Sequence, residues 1–89
     1  MRNILLIEDN KDLSKEIKKY IENFEYKVFI AESLEEAKNK LSGDFNIALL
    51  DINLPDGQGI EIMGLLKEKG IKTIVTTVKN DEEFIVRSL

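Results

Sequence analysis

Four short apolar runs, each too brief to be a helix and each followed by a stretch of helical period, constrain this chain more than any other feature. They are Ile4 to Ile7, Tyr26 to Ala31, Asn46 to Leu50 and Thr73 to Val78. Ile4–Ile7 and Ile47–Leu50 are apolar on both faces, which suits interior strands of a parallel sheet covered by helices on each side. Between the first two runs, Leu13, Ile17, Tyr20, Ile21 and Phe24 fall on one face of a helix expected from Lys11 to Phe24, with Lys15, Lys18, Lys19 and Glu22 opposite. Ser33 with Glu36 forms a capping box that opens a second helix ending near Leu41. A third is expected from Gly59 to Lys69, with Ile60, Met63 and Leu66 as its buried stripe and Gly70 as its stop. The stretch from Glu82 to Leu89 reads as the start of a fourth helix. Strict alternation with short connections predicts an α/β fold, a parallel sheet with helices on both faces.

The 89 residues make one small domain, 1–89, with no repeat or linker. Such a chain buries only about two-thirds of its unfolded surface. There is no cysteine and no histidine, so disulfides, thiolate metal sites and the commonest general base are excluded. Any chemistry must run on carboxylates, hydroxyls, lysines and backbone. A net charge of −4 argues against a nucleic-acid surface. The apolar run after Met1 is far too short for a signal peptide or a membrane span, so a soluble cytoplasmic protein is expected.

Asp51 follows Ile47–Leu50 at once, where that strand leaves the core, and Asn53, Pro55 and Gly57 follow in a loop. An acid there is either a turn-forming cap or a reactive group. Glu8 and Asp9 stand in the same relation to Ile4–Ile7, and with Asn10 they are also candidate helix caps. If the second and third strands flank the first, the connections diverge at the first strand. That switch point brings Asp9 and Asp51 into one crevice. Carboxylates so close repel unless protonated or neutralised by a cation. With no His or Cys, an all-oxygen site suits Mg2+ or Mn2+. Thr77, near the end of the fourth run, brings a hydroxyl within reach of that crevice, whereas Thr76 reads as a β-branched strand former.

Three motifs together, Ile4-Leu5-Leu6-Ile7-Glu8-Asp9-Asn10, Leu49-Leu50-Asp51-Ile52-Asn53-Leu54-Pro55-Asp56-Gly57 with Gly59, and Ile74-Val75-Thr76-Thr77-Val78-Lys79-Asn80-Asp81, resemble the receiver domain of bacterial two-component response regulators. Their order and spacing hold across essentially the whole chain. The resemblance implies a flavodoxin-like sheet of order 2-1-3-4. It implies that Asp51 accepts a phosphoryl group from the phosphohistidine of a sensor histidine kinase. Asp9 would bind Mg2+ directly and Glu8 largely through water, with Asp51 and the Asn53 carbonyl as further ligands. The Thr77 hydroxyl would contact the bound phosphoryl oxygen and start the switch. Pro55 and Gly57 would shape the loop over the site, and Lys79 would border it. Family members often carry a DNA-binding output domain, none of which is visible in these residues.

Two departures stand out. Val78 occupies the position after the switch Thr where the family favours a small residue, and the match stops at Leu89, short of a fifth strand and fifth helix. The missing strand would carry a phosphoryl-contacting Lys and a switch aromatic. The chain therefore reads as a receiver truncated at its C-terminus. Its fourth strand would have a bare edge and its first helix an uncovered apolar flank, which implies self-association. The competing reading is a receiver-like interaction module that is not phosphorylated. An aspartyl-phosphate phosphatase would want its nucleophile on the first strand and a longer chain. A dinucleotide-binding fold lacks its G-x-G-x-x-G after the first strand.

Overall fold

The computed structural model describes the backbone of residues 2–51, 53–54, 57–58, 60–79 and 83–88, and the side chains of residues 2–51 and 61–75. In chain order the elements are β1 (Arg2–Ile7), α1 (Lys11–Glu22), β2 (Tyr26–Ala31), α2 (Leu34–Lys40), β3 (Ile47–Asp51), β4 (Asn53–Leu54), β5 (Gly57–Gln58), α3 (Ile60–Glu68), β6 (Lys72–Lys79) and β7 (Glu83–Ser88). The main sheet has the order β2-β1-β3-β6-β7, and β4 and β5 form a separate small ladder. The first four strands of that order are mutually parallel. They are the four apolar runs, and their order is the expected 2-1-3-4.

The fifth member of the sheet departs from expectation. Residues 83–88, read as the beginning of a helix, form an antiparallel strand paired with β6 from Ile74↔Ser88 to Lys79↔Glu83. Two turns of helix gain little on their own, because nucleation is costly. Phe84-Ile85-Val86 is an aromatic and β-branched triplet that favours a strand, and β6 offers it an open edge. The expected bare edge of the fourth strand is therefore covered. A parallel fifth strand and a fifth helix are absent among the described residues.

Side chains alternate across the sheet and build two unequal layers. Leu5, Ile7, Ala48, Leu50 and Val75 face Leu34, Ala37 and Leu41 of α2 and its C-terminus, and Ile62 and Leu66 of α3. Ile4, Leu6 and Val28 face the other way, against Ile17 and Ile21 of α1. That second layer is thin. Ile17, Ile21, Ile47, Leu49 and Ile74 are only half-buried. Tyr20 and Phe24, expected on the buried face of the first helix, are 66% and 60% exposed and touch edge-to-face at 5.4 Å. The stripe of α3 also shifts: Ile62 and Leu66 are fully buried and Met63 half-buried, while the Ile60 side chain lies outside the described residues.

Local signals set the helix ends. Of the three candidate caps before α1, Asn10 is the one used, its Oδ1 accepting from the Leu13 N–H at 3.0 Å. Ser33 Oγ accepts from the Glu36 N–H at 3.1 Å, and the Glu36 carboxylate accepts from the Glu32 N–H at 3.2 Å. The reciprocal bond of the capping box thus lands one residue before the cap itself. At the end of α3, Gly70 takes φ 71°, and the Ile71 N–H reaches back to the Leu66 carbonyl at 3.0 Å. That left-handed close is cheap only for glycine.

Leu66→Ala empties a fully buried position and should cost about 2–5 kcal/mol. Tyr20→Ala, on the exposed flank of α1, should cost under about 1 kcal/mol. Urea denaturation of the two variants measures the difference; equal losses would mean that α1 and α3 are equally embedded.

Candidate functional site

The site follows from the register of the three central strands. β1 lies between β2 and β3, and Ile7↔Leu50 is the last rung of the β1–β3 ladder. Glu8 and Asp51 come next along the two chains, so both acids leave the sheet at its carboxyl edge. The chain crosses to opposite sides at this point, from β1 to β2 one way and to β3 the other. Open parallel sheets make their binding crevices at such divergences.

Three carboxylates meet there. Glu8 is buried, Asp51 half-buried and Asp9 exposed, and each offers an oxygen within 4.8 Å of the other two. Backbone bonds fix Glu8 from two sides. Its own N–H donates to the Ala31 carbonyl at 2.9 Å, and its Oε2 accepts from the Asn10 N–H at 3.1 Å. Burial is the main reason the Glu8 carboxyl is pushed up from an ordinary value near 4.5 to about 7. The Asn10 N–H opposes the rise, and the Asp51 and Asp9 carboxylates add to it. An oxygen-only donor set, graded from buried to exposed, suits a hard divalent cation that keeps some of its water.

The expected site residues separate into two groups. Glu8, Asp9 and Asp51 come together as expected. Thr76 is the register partner of Asp51 across β3 and β6, which sets Thr77 one residue further toward the crevice edge. The backbone of Thr77 is paired with Ile85 of β7. Asn53 lies in β4, Gly57 in β5 and Lys79 at the end of β6. The side chains of Thr77, Asn53 and Lys79, and Pro55 as a whole, lie outside the described residues. One contributor escaped the sequence reading. Asn10 was legible as a cap, but its N–H also holds Glu8. The signal for that second role is its place two residues after the acid.

Comparison with known proteins defines the family. The response regulator receiver domain model matches residues 4–89, and the chain belongs to that family. It is 36% identical over 90 residues to the swarming motility regulation protein RssB of Serratia marcescens, covering 98% of this chain and 41% of RssB. Response regulator SaeR of Staphylococcus aureus is 32% identical over 91 residues, covering all of this chain and 40% of SaeR. The chain thus spans about two-fifths of the length of these curated relatives. Among solved structures, response regulator TrrA of Thermotoga maritima, in complex with Mg2+ and BeF, superposes with a TM-score of 0.82 at 31% identity, covering 90% of this chain and 72% of that one. The non-phosphorylated HemR receiver domain of Leptospira biflexa gives 0.80 at 32% identity, covering 89% and 66%.

The raised Glu8 carboxyl carries a stability signature. Between pH about 4.5 and about 7 the folded chain holds a proton that the unfolded chain has released, so raising the pH through that window lowers stability. In metal-free buffer, Glu8→Gln should match the parent near pH 4.5 and melt increasingly above it toward pH 7. Parallel melting curves for the two proteins across the window would show that Glu8 titrates normally.

Proposed function

We propose that the chain accepts a phosphoryl group on Asp51 from a sensor histidine kinase and passes the change to an output function. The observation that carries this reading is the convergence of Glu8, Asp9 and Asp51 at the switch point of the sheet. A Mg2+–BeF complex of the relative TrrA supports the same use of the site. A carboxylate oxygen of Asp51 forms the new P–O bond as the P–N bond of the phosphohistidine breaks, and the bonding pair returns to the imidazole nitrogen. Bound Mg2+, or Mn2+, would neutralise charge on the transferring phosphoryl group. Asp9, the exposed acid of the three, would be the direct ligand, with Asp51 and the Asn53 carbonyl as the protein's other ligands. Glu8, held from behind by Asn10, would act through water. Thr77 takes the phosphoryl oxygen, and Pro55 and Gly57 shape the loop.

In this reading the domain is no turnover enzyme. It modifies itself once and returns to its starting state when water attacks the acyl phosphate. The relatives are longer proteins, two of them transcriptional regulatory proteins, so a DNA-binding output is the favoured readout and the cytoplasm the setting. One observation favours the second reading, an interaction module without phosphorylation. β7, where the residue pattern reads as a helix, pairs along β6 through Thr77, and a laddered strand restrains the backbone that would carry the switch.

A small phosphodonor with Mg2+ separates the two. A mass gain of one phosphoryl group, lost in Asp51→Asn, supports phosphotransfer; no gain in the parent chain supports the interaction module. In a metal titration Asp9→Ala should weaken Mg2+ binding more than Glu8→Ala does, and equal losses would remove the distinction between direct and water-mediated ligands. Replacing Asn53 or Lys79 should change the phosphoryl lifetime several-fold while leaving phosphorylation possible. Unchanged lifetimes in both variants would remove these residues from the path of the hydrolytic water.

A further inference from the structure

The sheet ends in two edges, β2 and β7, and they differ in how they are finished. At β2 the carboxylate of Glu22, from the last turn of α1, accepts the Val28 N–H at 3.1 Å. A charged side chain thus occupies the place another strand would need, which is a known way of blunting an edge. The described backbone of β7 is a regular ladder. All six of its residues pair with β6 without a bulge, and Glu83–Ser88 contains neither proline nor glycine. Every second residue of such a strand turns its N–H and C=O away from its neighbour.

We propose that β7 is the dimerisation edge of the 89-residue chain, pairing antiparallel with β7 of a second copy to make one sheet through both molecules. The occupant is fixed by self-complementarity. A twofold pairing that keeps the same face of both sheets on one side must set one residue opposite itself. Centring on Ile85 places Glu83 opposite Arg87 of the second copy, and Arg87 opposite Glu83, with Phe84 opposite Val86 between them. Centring on Phe84 or Val86 sets Glu83 opposite Ile85 or Leu89 and gives no charge pair within the strand. Directly opposed unlike charges and apolar residues stabilise an antiparallel pair, and like charges weaken it. This pairing replaces the bare fourth-strand edge as the source of self-association, and it does not depend on phosphoryl transfer.

Light scattering on eluting protein at micromolar concentrations should find a dimer. Glu83→Arg and Arg87→Glu should each raise the dimer dissociation constant about tenfold, and the double exchange should restore it. The chain has no cysteine, so a single introduced thiol reports position cleanly. Ile85→Cys should cross-link rapidly to itself with a short bis-maleimide, and Tyr20→Cys, on the flank of α1, should not. A monomer at every concentration overturns the proposal. So does a dimer indifferent to both single exchanges, or one whose cross-linking follows Tyr20 rather than Ile85.

Discussion

The gathering of Glu8, Asp9 and Asp51 at one edge of the sheet, with Glu8 buried, is the constraint to which the rest of the structure answers. Three acids within 4.8 Å are held together by the most apolar part of the molecule. Leu5, Leu6 and Ile7 lead directly into Glu8, and Leu50 into Asp51, and all four apolar residues are essentially without exposure. The free energy that confines the carboxyl groups comes from strands buried on both faces and locked in register with their neighbours. The cost of burying Glu8 is localised at one rung of the sheet.

Much of the fold was legible because β1 and β3 are apolar on both faces, a pattern that suits a covered parallel sheet, and because helical stretches alternate with them. The same pattern placed the acids, since a charge directly after such a strand has no room inside it. Helix faces were less legible. Tyr20 and Phe24 have the spacing of core residues, but burial depends on what lies opposite, and among the described residues α1 alone covers that side of the sheet. The helix expected at 82–89 failed for a related reason: its period fits a short helix, while the open edge of β6 rewards a strand over Glu83–Ser88. Tertiary opportunity outweighed a weak local preference. The second role of Asn10 had only its place two residues after Glu8 as a signal, because a backbone N–H is common to every residue type but proline.

The family relationship and the geometry support one another at different grain. Membership over residues 4–89 assigns the domain type. The local geometry says which acid is sheltered and which meets solvent, a gradient that belongs to these residues. Asp9 has the greatest exposure of the three, while Glu8 is held by backbone groups on two sides.

That gradient also spans the join between a strand buried from Ile4 to Ile7 and a helix with few buried residues. Asp9 lies between β1, inside the sheet, and α1, whose residues are half-buried or exposed apart from Ser14. Regions with few buried contacts open locally at a smaller free energy than the whole molecule requires. Fraying of α1 from its Asn10 cap would therefore displace Asp9 and release the Asn10 N–H from Glu8, while β1 and β3 stay closed. Amide exchange in the first turn of α1 thus becomes a gauge of how firmly the acidic cluster is assembled, independent of any measurement made on the acids themselves.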